Sequence, residues 1–125
     1  NYIAYAFATK KGFSKFGSYV GNGNADGTFV YTGFKPAFIM QKKSSGTSDW
    51  VIYDNKRSIF NVATKELKPN SNAAESTFDG IDILSNGFKQ RSDYSYTNNS
   101  GATYIYMAFA EEPLVSSNNI VATAR

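Results

Sequence analysis

Cysteine and histidine are both missing from this 125-residue chain. Without a thiol there is no disulfide framework, no thiolate nucleophile and no Cys-ligated metal. Without an imidazole, Ser-His-Asp and Cys-His arrangements, His-type zinc sites and a neutral-pH imidazole base are excluded as well. No run approaches the roughly 18 apolar residues of a membrane span, and the first residues lack the charged-then-apolar layout of a signal peptide. Charge of one sign is not concentrated either. The net +3 comes from thirteen basic residues against ten acids, scattered as Lys10-Lys11, Lys42-Lys43, Lys56-Arg57 and singles. Nucleic-acid binding would want a denser patch.

What is present suits one folded domain. A chain of this length buries roughly two-thirds of its unfolded surface, so a core forms without staples. The hydrophobic share is 42% and the aromatic share 16%, with ten glycines and three prolines. That balance excludes a disordered or collagenous chain and tilts toward β structure. The front of the chain, Tyr2 to Ala8 (YIAYAFA), is echoed near the end by Tyr104 to Ala110 (YIYMAFA), five of seven positions being identical. In each copy the residues alternate: Ile3, Tyr5 and Phe7 against Tyr2, Ala4, Ala6 and Ala8; Ile105, Met107 and Phe109 against Tyr104, Tyr106, Ala108 and Ala110. This is the period of a strand, and the small residues on one face predict inner strands. The chain opens with Asn directly inside such a pattern, which suggests a piece of a longer polypeptide.

Between the copies, Asn22-Gly23, Asp26-Gly27, Ser45-Gly46, Asp79-Gly80, Asn86-Gly87 and Ser100-Gly101 punctuate the chain with turn dipeptides. No long amphipathic helix fits between them, and Ser71 to Ser76 allow one helical turn at most. Strands are expected at Ser14 to Val20, Thr28 to Gly33, Ala37 to Lys43, Asp49 to Asp54, Gly80 to Leu84, Gly87 to Ser92 and Thr103 to Ala110. Ala37-Phe38-Ile39-Met40, apolar on both faces, reads as a central strand. A two-residue Asn86-Gly87 turn would pair Ile83 with Gln90 and Asp82 with Arg91, putting Ile81, Ile83 and Phe88 on one face. The fold expected is all-β, an antiparallel sandwich of jelly-roll-like or lectin-like type with little or no helix.

The chemistry left to such a chain is carboxylate work or binding. Asp49 and Asp54 bracket one strand, Asp79 and Asp82 flank a turn, and Glu111-Glu112 follow the last strand. A glycosidase would need two of these held across a cleft, roughly 5 to 9.5 Å apart; solvated or turn-capping roles are the commoner fate of such acids. Asn22 to Gly27 mimics the first half of a calcium loop, but position twelve is Gly33 rather than glutamate, so a plain hairpin loop is the better reading. Asn98-Asn99-Ser100 fits the glycosylation triplet, which is frequent by chance in an Asn- and Ser-rich loop. Neither a metal, a cofactor nor a catalytic residue is expected. Surface aromatics are the better lead, because sugar-binding surfaces stack sugar faces on Trp or Tyr rings and hold hydroxyls with polar side chains. The candidates for ligand binding are Tyr94, Tyr96, Asn98, Asn99, Trp50, Asp49 and Arg57. Trp50 shares a face with Ile52, which favours a core place for it; Tyr94 and Tyr96 alternate with Ser, and recognition and edge packing are both open to them.

Read together, Phe16 to Lys43 (FGSYVGNGNADGTFVYTGFKPAFIMQKK), Asp49 to Arg57 (DWVIYDNKR), Ile83 to Arg91 (ILSNGFKQR) and Thr103 to Pro113 (TYIYMAFAEEP) resemble an uncharacterised repeat module of bacteriophage tail fibres and other virion-associated proteins. The resemblance runs from Gly12 to the closing VATAR (Val121 to Arg125), with Leu114 where an aromatic often stands. It implies a phage virion protein on the particle exterior, in a class where fibres are usually homotrimeric and the distal C-terminal domain touches host glycan or envelope protein. It also implies a domain layout: residues 1–11 as a strand shared with or left from an upstream module, and residues 12–125 as a single sandwich ending at the natural C terminus. The expected partners are other virion proteins, identical copies and a host surface molecule, with no nucleic acid and no membrane insertion. An architectural role, as a capsid decoration protein or fibre-shaft module, is the alternative. No functional residues of the family carry over.

Overall fold

A computed structural model describes residues 1–112; the closing VATAR and Leu114 lie outside the described residues. Eight strands form two antiparallel sheets, and there is no helix among the described residues. The first sheet has the order β1-β8-β3-β4 and is built from Ser14–Val20 (β1), Thr103–Ala110 (β8), Pro36–Lys43 (β3) and Trp50–Asp54 (β4). The second has the order β2-β7-β6-β5 and is built from Phe29–Tyr31 (β2), Gly87–Gln90 (β7), Ser76–Leu84 (β6) and Ala63–Glu66 (β5). The expected all-β sandwich is what the chain forms.

The core lies between the sheets. The first contributes Tyr19, Ile39, Val51, Tyr53, Tyr104, Tyr106 and Ala108, the second Val30, Ala63, Ile81, Ile83 and Phe88. Phe88 meets Tyr106 edge-on at 5.5 Å and Tyr19 at 6.2 Å, a geometry that matches the ring quadrupoles while filling the space between layers. β3 is central, as its two-sided apolar run requires, with β8 and β4 on either side. β8 is central too, and Ala108 and Ala110 on its inward face leave room for the opposing layer. Gly80 serves the same end in the second sheet: a Cβ there would stand 2.4 Å from the Tyr53 ring.

Four sequence expectations are corrected. The turn joining β6 to β7 is centred on Ser85-Asn86, so Ile83 faces Phe88 and Asp82 faces Lys89, two residues away from the register expected of an Asn-Gly turn. Gly87 is drawn into β7 because Val30 packs so closely that a Cβ would lie 2.1 Å from its carbonyl oxygen. A two-residue shift keeps every side chain on its face. Ile81, Ile83 and Phe88 are therefore buried together as expected, and Arg91 still reaches Asp82 diagonally at 3.5 Å. Second, Ser71 to Ser76 makes no helical turn; β6 begins at Ser76, extended by pairing with Lys65 and Glu66 of β5. Third, β5 itself was not expected, because Ala-Thr-Lys-Glu carries no apolar alternation. Fourth, Tyr2 to Ala8 is not a strand in the chain by itself.

That opening heptad is exposed at Ile3 (82%) and Tyr5 (81%), so these two do not share a core with Ile105, Met107 and Phe109. Phe7 alone lies back on the sheet, stacked on Phe16 at 5.7 Å and edge-on to Phe109 at 6.2 Å. These rings belong to the outer face of the first sheet, where cross-strand pairing also lines up Phe16, Met107, Met40 and Ile52.

Gly80→Ala is expected to cost about 1–3 kcal/mol through overpacking against Tyr53, read as a lowered urea midpoint with unchanged slope. An unchanged midpoint would mean that the ring gives way freely.

Candidate functional site

The segment between β7 and β8, residues 91–102, is held by Asn98 together with the hydroxyls of Tyr19 and Tyr104, which bond the Thr97 and Ser95 carbonyls. Asn98 is fully buried, donates from Nδ2 to the Ser92 and Asn24 carbonyls at 2.8 Å and to Asn22 Oδ1 at 2.9 Å, and accepts from the Asn22 N–H at 3.0 Å. All its capacity is spent inside, so this expected ligand contact is a structural keystone, and its amide is closed to glycosylation in the folded domain. Asn22 Oδ1 and Asn24 Oδ1 likewise accept the N–H groups of Asn24 and Asp26 within their own loop, leaving the calcium-like loop's oxygens turned to turn-making. Asp26 pairs with Lys89. No group of three or more acidic side chains converges on a metal-sized site among the described residues.

With the segment so anchored, Tyr94 and Tyr96 project from its first turn, where the Thr97 and Asn98 N–H groups both donate to the Tyr94 carbonyl. Their rings stack at 5.4 Å and 11°; Phe78 from β6 meets Tyr94 edge-on at 5.6 Å; the Lys68 ammonium stands 5.0 Å over Tyr96. Lys68 in turn reaches Asp49 at 3.2 Å, and Asn70 donates to Asp49 at 2.9 Å while its carbonyl oxygen accepts the Trp50 N–H at 2.8 Å. The result is a row of three aromatic rings, Phe78, Tyr94 and Tyr96, ending in a cation, an amide and a carboxylate.

Beneath the row lies Glu66, wholly buried at the end of β5. Tyr53 donates to it at 2.7 Å, Ser76 at 3.4 Å, and Lys68 stands 4.0 Å away. Burial, and then the Glu66 charge, push the phenols of Tyr53 and Tyr96 well up, so both are neutral donors at any physiological pH. Asp49 is held below the usual carboxylate range by its bond from Asn70 and by Lys68. Glu66 is closed to any substrate, and Asp49 is already engaged. What the arrangement offers is stacking surface and directed hydrogen bonds.

Of the sequence candidates, Tyr94, Tyr96 and Asp49 come together here. Trp50 borders the site through its backbone, but its half-buried ring lies in a hollow on the outer face of the first sheet with Phe16, Ile105 and Met107, so it is outside the core between the layers. Asn99 is exposed, and its N–H donates to the Tyr104 hydroxyl at 2.8 Å. Arg57 belongs to a separate network: Nε pairs with Asp54 at 2.5 Å and Nη1 with Glu75 at 3.0 Å. Sequence reasoning missed Lys68, Asn70 and Phe78, which sit in stretches with no alternation or motif; only the tertiary fold gathers them.

The residues 1–113 match the family described as a domain of unknown function (DUF7483). No curated protein and no solved structure matches the chain.

Two outcomes are expected from these networks. Tyr53→Phe removes the closest donor to a buried carboxylate and is expected to cost about 1–3 kcal/mol at pH 7 by denaturant titration; no loss would mean that Ser76 and Lys68 suffice. At Asp54, burial works upward, but the N–H groups of Arg57 and Lys56 and the Arg57 guanidinium outweigh it and hold the carboxyl below its usual value. Its stabilising share is therefore complete above the unfolded value of about 3.9 and disappears as pH falls through the lower folded value. Urea midpoints measured across that range should fall less steeply for Asp54→Asn than for the parent chain, with the variant already weaker at pH 7.

Proposed function

The chain belongs to the DUF7483 family, and we propose that it serves as a non-enzymatic bacteriophage virion module, the C-terminal domain of a tail fibre that attaches the particle to a host-surface glycan or envelope protein. The observation that carries this reading is the row of rings Phe78, Tyr94 and Tyr96 capped by Lys68, Asn70 and Asp49. With Tyr94 and Tyr96 stacked on each other and Phe78 edge-on to Tyr94, a contoured apolar ridge stands beside polar groups, which suits the alternating apolar and hydroxylated faces of a sugar chain. Against hydrolysis stands the placement of the acids. Asp49 pairs with Lys68, Asp54 with Arg57 and Asp82 with Arg91, so each of these carboxylates is already engaged by a cation, while Asp79 is exposed on β6. The resemblance to tail-fibre modules gives the setting: virion exterior, identical copies arranged as a homotrimer, no nucleic acid and no membrane insertion.

A second reading, an architectural module of the fibre shaft or capsid, is favoured by a different observation. The outer face of the first sheet carries Phe16, Phe38, Phe109, Met40, Met107, Ile52 and Ile105, and Phe7 already rests on it. A face of this kind suits packing against another virion chain.

Binding of a trimerised form of the domain to susceptible cells and to a glycan array separates the two. Attachment predicts cell binding that Tyr96→Ala and Lys68→Ala each weaken at least tenfold. Absence of cell binding, with the domain's density located inside the fibre shaft or on the capsid, would establish the architectural reading instead.

A further inference from the structure

At the opposite edge of the sandwich, where the turn entering β1 meets the end of β2, a cleft of about 270 Å³ is lined by Lys10, Lys11, Lys15, Tyr31, Thr32 and Gly33 among others. We propose that this cleft is a second ligand site, selective for a saccharide bearing an anionic group, a carboxylate, phosphate or sulfate on a sugar ring. The choice of a saccharide rests on the attachment reading above; the preference for an anion rests on the cleft itself.

Three observations point to an anion. First, Lys10, Lys11 and Lys15 have no carboxylate within ion-pair distance among the described residues, a condition they share with Lys42, Lys43 and Lys56, whereas Lys35, Arg57, Lys65, Lys68, Lys89 and Arg91 are paired. Second, the cleft lining includes three lysines and no acidic residue. An anion entering the cleft meets basic side chains and no carboxylate, a favourable field that salt screens over about 8 Å at physiological strength. Third, the cleft has an aromatic wall. Tyr31 is 58% exposed, and the Lys15 ammonium stands 5.1 Å from its ring centroid. This contact orients Lys15 across the ring and leaves Lys10 and Lys11 exposed at the rim.

Gly33 keeps the wall accessible. Its positive φ of 84° is one that other residues adopt only with strain, and even a Cβ there would already touch the Tyr31 hydroxyl at 3.5 Å. The cleft volume is at the low end for ligand pockets and suits one ring with its charged substituent rather than a long polymer segment. The backbone beneath is fixed, since the Thr32 and Gly33 N–H groups both donate to the Asn86 carbonyl, at 2.9 and 3.1 Å. The ligand therefore meets a hydrogen-bonded floor, an aromatic side and an exposed basic rim.

The test is titration of the ¹⁵N-labelled domain, followed by amide shifts, with glucuronic acid oligomers, neutral glucose oligomers, inorganic phosphate and phosphatidylglycerol vesicles as separate probes. The expected result is a set of shifts confined to residues 9–15 and 31–33 with the acidic oligomer, weakened by added salt, and at least tenfold weaker with the neutral one. Lys10→Gln with Lys11→Gln should lower that affinity at least tenfold, and Lys43→Gln with Lys56→Gln should leave it unchanged. Equal response to neutral and acidic oligomers, shifts centred elsewhere, or binding to vesicles and phosphate without the oligomer would each overturn the proposal. The attachment reading fails separately. If the acidic oligomer binds here and the trimerised domain ignores susceptible cells, attachment is wrong and the site stands. If cells are bound equally by the parent and the Lys10/Lys11 variant and the oligomer is not, the site is wrong and attachment stands.

Discussion

The sandwich depends on a buried polar contact at its centre. The Tyr19 hydroxyl from β1 lies 2.8 Å from Gln41 Oε1 on β3 and 2.7 Å from the Thr97 carbonyl, and accepts Gln90 Nε2 from β7 at 3.0 Å; the same Nε2 reaches Gln41 Oε1 at 2.9 Å. One phenol thus joins both sheets and the segment that carries the aromatic row. Burial raises its pKa well above that of a free tyrosine, which keeps the hydroxyl a donor. Among the described residues Gln41 Nε2 and Gln90 Oε1 have no partner, so the network is not fully satisfied within them. Apolar contact alone tolerates sliding, but a hydrogen-bonded knot in a low dielectric has one geometry, and displacing it exposes further unpaired groups.

That knot explains how a surface built from distant stretches stays in place. Thr97 is fixed by Tyr19, Asn98 by the loop at Asn22 to Asp26, and Tyr94 and Tyr96 immediately precede them. Tyr96 packs partly on the core while carrying Lys68 above it. The rings are therefore positioned by buried bonds rather than by their own exposed contacts, which is how a loop supports a defined recognition surface at low conformational cost.

Much of the fold was legible because its strands are amphipathic in the simplest way. β1 and β8 coincide with the expected spans, and the apolar run of β3 announced a central strand. Legibility failed where tertiary contacts override local pattern. β5 and the first half of β6 are polar and exist because they pair with each other. The Asn-Gly signal set the wrong turn because Val30 claims Gly87. The opening heptad shows the converse: it has the pattern of an inner strand, yet among the described residues it has no strand partner. At the site, Tyr94, Tyr96 and Asp49 could be picked out as residue types, but Asn98 has the same chemistry as a ligand contact and only its burial assigns it to the scaffold. Lys68 and Asn70 lie in Leu67-Lys68-Pro69-Asn70, where nothing in the sequence hints at Asp49.

The two sheets are also stitched at one side only. Just past β5, Leu67 exchanges both backbone hydrogen bonds with Ile52 of β4, at 2.8 and 3.2 Å, so the polypeptide crosses from one layer to the other through a single backbone bridge. Among the described residues no such backbone bridge joins β1 to the three-residue β2 at the other side, where Thr28 Oγ1 bonding to the Val20 carbonyl is a side-chain link. The molecule is accordingly a book with a spine. Local opening follows the free margin, and amide protons of β1 and β2 exchange ahead of those of β3 and β4. The aromatic row, with Lys68 one residue beyond Leu67, sits near the spine and is spared that breathing, while the lysine-rimmed cleft lies at the fore-edge and shares in it.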